Sequence, residues 1–276
     1  MENRQTIEVE LLDVWGTDET IANSAWVSTA KQNKDRTDTD ISRVVSQMIP
    51  SDDVVDHGTP LESVWLRYWI RCPIYVERQF DKYRMTQQYQ DFKVEYDFGP
   101  MGRDNITQNE LSLRYRTMPN SFIDIPTDVR NISKRVGDIL LSDMDGESNT
   151  IYYDAETDLN KIYEEVMTTS KQAYDRIVSE LFTAKNEGRI TYNELKRARE
   201  FYRGILGTGF FTDMQIVLNA NALKNILTQR LSKHTQPEAR KVAELMLQEA
   251  LKEKKINNML NTAYEKYNWY VDFLTK

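Results

Sequence analysis

With 276 residues, 40% of them hydrophobic and 29% charged, the chain can fill one large core or two modest ones and has the balance of an ordinary soluble fold. Its formal net charge of −7 opposes broad attachment to nucleic acid or to an anionic membrane, which needs clustered Lys and Arg, yet leaves room for a small phosphate-bearing ligand held by a few arginines. The single cysteine, Cys72, excludes a disulfide framework and any multi-cysteine zinc or iron–sulfur centre, so no metal is expected.

No apolar run approaches the roughly 20 residues of a membrane span, and the start MENRQTIEVELLDV lacks the apolar core of a signal peptide; a cytoplasmic protein is expected. Residues 6–14 alternate as a strand, and Gly16-Thr17-Asp18 reads as a turn and cap opening a helix over Glu19 to Ser28. Residues 31–40 form a polar linker, and Ile41 to Met48 has helical spacing closed by Pro50. His57-Gly58-Thr59-Pro60-Leu61-Glu62 then leads into a strand in which Val64, Leu66, Tyr68 and Ile70 alternate with Trp65, Arg67, Trp69 and Arg71. Cys72 lies in the apolar run WIRCPIYV and reads as a buried, inert thiol.

Polar groups concentrate between Pro73 and Tyr115: Arg78, Gln79, Lys82, Tyr83 and Arg84, then Glu110, Ser112 and Arg114. A helix over Pro73 to Met85 puts Arg78 and Lys82 on one face, anchored by Ile74, Val76 and Phe80, and that face can bind phosphate. The stretch at about 87–106 mixes aromatic and charged residues and reads as a hairpin or ordered loop. An irregular connection through residue 155, with a short helix near Asp128 to Leu141, precedes a long amphipathic helix from Leu159 to Lys185. Its apolar stripe is read as Leu159, Ile162, Val166, Ala173, Ile177, Leu181 and Phe182. Gly188 ends that helix, and Thr191 with Glu194 starts the next, which carries Glu200 and Arg203 three apart. Further on, Asn219 and Arg230 stand eleven residues apart, three helical turns within about 20°, so both can face one site. The GTG at 207–209 lacks the strand and spacing of a dinucleotide-binding turn, so a Rossmann site is not expected.

Several of these stretches resemble one family. Lys82-Tyr83-Arg84 and Asn109-Glu110-Leu111-Ser112-Leu113-Arg114-Tyr115 are similar to the two halves of the signature of the flavin-dependent thymidylate synthases, separated here by the insertion at about 87–106. VELLDVWGTDETIANSAWVST resembles the family's opening strand and helix, with Trp26 where it carries an arginine. His57-Gly58-Thr59-Pro60-Leu61-Glu62, the Glu200/Arg203 pair and NANALKNILTQRLSKHTQPEAR, ending at Arg240, resemble three more of its motifs.

The resemblance implies a mixed α+β fold, an antiparallel sheet flanked by helices and followed by a helical half. One catalytic domain over 1–276 would comprise a mixed half at 1–155 and a helical half at 156–276. It implies methylation of dUMP to dTMP, with methylenetetrahydrofolate as carbon donor and FAD passing a hydride from NADPH, in a homotetramer whose sites are built from several chains. By resemblance, Gln79, Glu110, Ser112, Arg114, Arg203 and Arg230 surround dUMP, with Arg230 as the catalytic group on the uracil ring. The implied FAD set is His57, Thr59, Glu62, Lys82, Tyr83, Arg84, Glu200, Asn225 and His234, and so takes in both histidines of the chain. Lys82-Tyr83 in place of Arg-His, Asn221 in place of a flavin-contacting arginine and Pro237 in place of an aromatic keep two alternatives open. One is a flavin- and folate-dependent hydroxymethylase or methylase acting on dUMP or dCMP; the other is a non-catalytic nucleotide-binding homologue.

Overall fold

The computed structural model describes residues 6–27, 36–49, 58–81, 106–110, 122–131, 159–266 and 269. The helices are α1 (Asp18–Val27), α2 (Asp38–Gln47), α3 (Ile74–Asp81), α4 (Leu159–Asn186), α5 (Tyr192–Tyr202), α6 (Ala220–Arg230), α7 (Pro237–Ala250) and α8 (Asn257–Lys266). The strands are β1 (Glu8–Trp15), β2 (Trp65–Pro73), β3 (Ile106–Glu110) and β4 (Phe211–Asn219).

The period-two pattern before Cys72 becomes β2. Leu66, Tyr68, Ile70 and Cys72 are fully buried while the intervening Trp65, Arg67, Trp69 and Arg71 stay part-exposed. Burial of one face fixes the register, because a slip of one residue would turn that whole set outward. β1 pairs antiparallel with β2, Leu11 opposite Tyr68, and the register shifts between Leu11 and Asp13. The sheet runs β1-β2-β4-β3, with β3 and β4 antiparallel. β4 is absent from the expected elements, although Met214, Ile216 and Leu218 alternate in the sequence and enter the core.

This sheet belongs to a compact unit of residues 6–110 and 213–276, in which α1, α2, α3, α6, α7 and α8 share one core. Val76 and Phe80 are the fully buried anchors of α3, as read from the sequence, with Ile74 partly buried beside them. Contacts between distant segments close the unit. Thr17, not Asp18, caps α1, its hydroxyl accepting from Thr20 N at 3.2 Å. The Asp18 carboxylate accepts from Asn258 N (2.8 Å) and Met259 N (3.0 Å) in the first turn of α8. Lys266, at the other end of α8, donates to the Ser46 and Ile49 carbonyls at the end of α2, where a cation suits the negative helix terminus. The Tyr68 hydroxyl donates to Met246 O at 3.3 Å, and burial pushes its pKa far up, so it remains a neutral donor. α2 begins earlier than expected, because Thr37 and Asp40 form a capping box inside what reads as linker. Where Trp26 replaces the family's arginine, the Arg36 guanidinium lies 3.4 Å from the Trp26 ring centroid.

Residues 111–212 belong to a second unit. Gly188, at φ 75°, ends α4, and Thr191 and Glu194 form the capping box of α5, both as expected. The buried face of α4 is not the expected stripe. Met167, Lys171, Tyr174 and Ala184 turn inward, whereas Val166 and Phe182 are 59% and 42% exposed and Ala173 also faces out. The helix lies close to the GTG: a Cβ at Gly207 would come 2.9 Å from Met167 Sδ, and one at Gly209 would come 2.5 Å from Tyr163 Oη. The missing side chains at these glycines leave room for Met167 and Tyr163 to pack there. Of the expected helix at 128–141, residues 127–131 are helical and the remainder lies outside the described residues, as does all of the 87–106 insertion except Ile106. No helix among the described residues is long and apolar enough to cross a membrane.

Candidate functional site

α6 is the spine of the site. It starts where β4 ends, and Asn219 caps it, the side-chain Oδ1 accepting from Ala222 N at 2.8 Å. The short turn Thr59–Ser63 packs beside it, with Ala220 N donating to Val64 O at 2.9 Å. The approach is tight: a Cβ on Gly58 would come 2.6 Å from Asn221 Oδ1. Asn221 is only 7% exposed, and its Oδ1 has no hydrogen-bond partner among the described residues; nor does Nδ2 of the fully buried Asn219. An acceptor and a donor thus lie buried and unsatisfied within one helical turn, which costs stability unless a bound group supplies partners.

The other end of α6, on the order of 15 Å away at 1.5 Å per residue, carries Arg230. Its Nη2 donates to the backbone carbonyl of Gln79 at 3.1 Å. Gln79 lies in the last turn of α3, where carbonyls lack intrahelical partners and the dipole is negative, so the guanidinium is well placed there. The Gln79 side chain is held as well, its Nε2 donating to Oε1 of Gln236. Gln236 occupies the N-cap position of α7, immediately before Pro237, and makes no capping bond with its side chain.

Gln79 and Arg230 are therefore in direct contact, with Gln236 as an unanticipated third member. Thr59 is exposed and Glu62 half-buried in the turn beside α6, and Asn225 is half-buried midway along that helix. His234 is exposed between α6 and α7, its backbone N–H donating to Ser232 Oγ at 3.3 Å. Glu110 ends β3 opposite Met214. Glu200 is half-buried near the end of α5, and Arg203 is exposed at its C-cap, both in the other unit. His57, Lys82, Tyr83, Arg84, Ser112 and Arg114 lie outside the described residues. Asn219 and Arg230, expected to face one site, are used differently: Asn219 caps its own helix while Arg230 reaches α3. A sequence signal for Gln236 exists, since glutamine is a poor N-cap directly before a helix-starting proline.

The model of a family described as thymidylate synthase complementing protein matches residues 10–256. A flavin-dependent thymidylate synthase of Kosmotoga olearia is 25% identical over 189 residues, which cover 68% of this chain and 63% of the relative. The chain thus spans less than two thirds of that relative's length. A flavin-dependent thymidylate synthase of Pseudothermotoga lettingae is 24% identical over 238 residues, covering 85% of this chain and 80% of the relative. One of Rickettsia conorii is 24% identical over 253 residues, covering 87% and 70%. Among solved structures, the UMP/dUMP methylase PolB of Streptomyces cacaoi bound with 5-Br dUMP has a TM-score of 0.58 at 21% identity, covering 94% of this chain and 95% of that one. The same enzyme bound with 5-Br UMP gives 0.59 at 21% identity, covering 97% of each. The likeness establishes the fold, a mixed helix-and-sheet architecture.

Proposed function

The chain belongs to the thymidylate synthase complementing protein family, and on that premise we propose that it methylates dUMP to dTMP as a single catalytic domain, with methylenetetrahydrofolate as carbon donor and NADPH as reductant. The observation that carries the reading is the Arg230–Gln79–Gln236 cluster: a guanidinium and two carboxamides, drawn from three helices, at one partly exposed place. Such donors and acceptors suit a planar heterocycle carrying carbonyl and imide groups.

In this reading Arg230 lies on the uracil ring and stabilises the negative charge that develops there, an effect whose loss costs roughly 10²–10³ in kcat for comparable donors. Gln79 reads the base edge, and Glu110, Ser112, Arg114 and Arg203 complete the nucleotide set. FAD, when bound, supplies the hydride transfer from NADPH. The buried amide atoms of Asn219 and Asn221 without partners among the described residues, the latter beside Gly58, fit a polar cofactor edge at the start of α6. Thr59, Glu62, Asn225 and His234 would hold it there, with Glu200, His57, Lys82, Tyr83 and Arg84 completing the set. Arg203 and Glu200 would join through self-association as a homotetramer.

A second reading, a flavin- and folate-dependent pyrimidine nucleotide methylase or hydroxymethylase with another acceptor or product, is supported by Asn221, which buries a small neutral amide where the family carries a flavin-contacting cation. The deciding experiment is mass analysis of the product formed from methylenetetrahydrofolate and NADPH with dUMP and dCMP in parallel. dTMP from dUMP supports the first reading, and a hydroxymethyl product or turnover of dCMP the second. Arg230→Ala should lose product while still binding FAD; turnover near wild type would remove Arg230 from its role.

A further inference from the structure

The family match ends at residue 256, so α8 and Trp269 lie beyond it. α8 is tied down at both ends, by the Asp18 carboxylate on its first-turn amides and by Lys266 on the Ser46 and Ile49 carbonyls. Three residues further on, Trp269 is 4% exposed and joins the core that α6 shares, its backbone N–H donating to Tyr264 O at 3.3 Å. The indole Nε1–H donates to Thr228 Oγ1 at 3.3 Å, and the Thr228 hydroxyl donates in turn to Lys224 O at 2.9 Å, one turn back along α6. The direction of this relay is fixed, because an indole N–H can only donate and a carbonyl can only accept.

Thr228 and Arg230 are two residues apart, about 200° around the helix, and so lie on nearly opposite sides of α6. On one side Trp269 holds the last turns of the helix; on the other Arg230 Nη2 reaches the Gln79 carbonyl at the end of α3. An eleven-residue helix is not held in place by its own hydrogen bonds, so contacts on its flanks set where its end lies. We propose that Trp269 is a positioning residue for Arg230, fixing the end of α6 from behind so that the guanidinium stays aimed at the nucleotide. The segment beyond the family match thereby acts on the site through α6, and a shift on the order of 1 Å at a group of this kind is enough to lose most of its oriented contact. The proposal rests on the reading of Arg230 as a nucleotide contact.

The test is dUMP affinity, measured by titration calorimetry on the full chain with FAD present. Trp269→Phe keeps a buried ring but removes the N–H, Thr228→Val keeps the shape of threonine but removes the hydroxyl, and Thr228→Ser keeps the hydroxyl. The first two should each weaken dUMP binding about three- to tenfold, the worth of one hydrogen bond, and together no more than either alone. Thr228→Ser should bind as wild type does. Thr228 is exposed and phenylalanine fills most of the space of the indole, so these variants should fold, which far-ultraviolet dichroism with the melting temperature checks. The decisive comparison repeats Trp269→Phe on Arg230→Ala, where the other proposed nucleotide contacts keep binding measurable. A tryptophan that acts through Arg230 costs nothing further there, whereas one that only supports the core weakens dUMP by the same factor with or without Arg230. An equal factor in both backgrounds, no effect of Trp269→Phe, or Thr228→Ser matching Thr228→Val overturns the role of Trp269 alone. If folded wild type binds no dUMP, the nucleotide reading of Arg230 falls, and this inference with it.

Discussion

Gly58 and Asn221 show how closely single residues constrain this site. Gly58 has an ordinary φ of −63°, so its lack of a side chain is required by space, not by backbone conformation. Gly58→Ala should destabilise the protein by about 1–3 kcal/mol through overpacking, and Asn221→Ala should recover part of that loss in the double variant. Denaturant midpoints around that four-protein cycle measure the coupling; additive effects would mean that the two residues do not press on each other. Asp18 makes a second case. Burial raises its pKa, opposed by the amides of Asn258 and Met259, so the native state holds the proton more tightly than the unfolded chain does. Its contribution to stability is therefore full below the unfolded carboxylate value and lost as pH rises through the raised native one. Asp18→Asn should flatten the dependence of stability on pH above about 4, and curves parallel to wild type would contradict this.

At the scale of the element, the helix starts follow short-range chemistry. Thr191 with Glu194 and Thr37 with Asp40 each satisfy first-turn amides reciprocally, and the backbone bond from the threonine holds each carboxyl below its usual range. The sign is opposite to that of Asp18: this stabilisation is present above the unfolded carboxylate value and lost as pH falls through the depressed native one. Protection factors of amides in the first turn of α5, corrected for the intrinsic exchange rate at each pH, should fall on acidification in wild type, and much less so in Thr191→Ala, which is already uncapped. α4 shows the limit of periodicity. Its sequence offers apolar residues on more than one face; Met167, which packs against Gly207 and Gly209, and Tyr174 go inward while Val166 and Phe182 go out.

For the whole molecule, the proposed assembly makes a claim that a single chain does not. Phe201 is 67% exposed, and Tyr202 and Ile205 also present apolar surface beside Arg203, a costly arrangement on an isolated chain. If neighbouring copies cover this surface and bring Glu200 and Arg203 to a shared site, Phe201→Ser should lower the assembled mass in analytical ultracentrifugation and reduce turnover together. An unchanged assembled mass would exclude Phe201 from the interface. Saturating FAD should also raise the melting temperature, since a ligand at one hundred times its Kd adds about 2.7 kcal/mol to native stability. A melting temperature unmoved by FAD would count against the cofactor reading.

Local chemistry in the sequence determined the one-faced burial of β2, the buried Cys72, the α3 anchors Val76 and Phe80, the capping box of α5 and the family motifs that single out Gln79 and Arg230. These are legible because alternation, helical spacing and caps act over a few residues. Only the tertiary structure decided that β4 returns to lie next to β2, that Asp18 caps a helix some 240 residues away, that α4 turns Met167 inward, and that Gln236 holds the amide of Gln79. Each of these depends on which distant segments meet, and contact across 150 residues or more leaves no periodic trace in the chain that makes it.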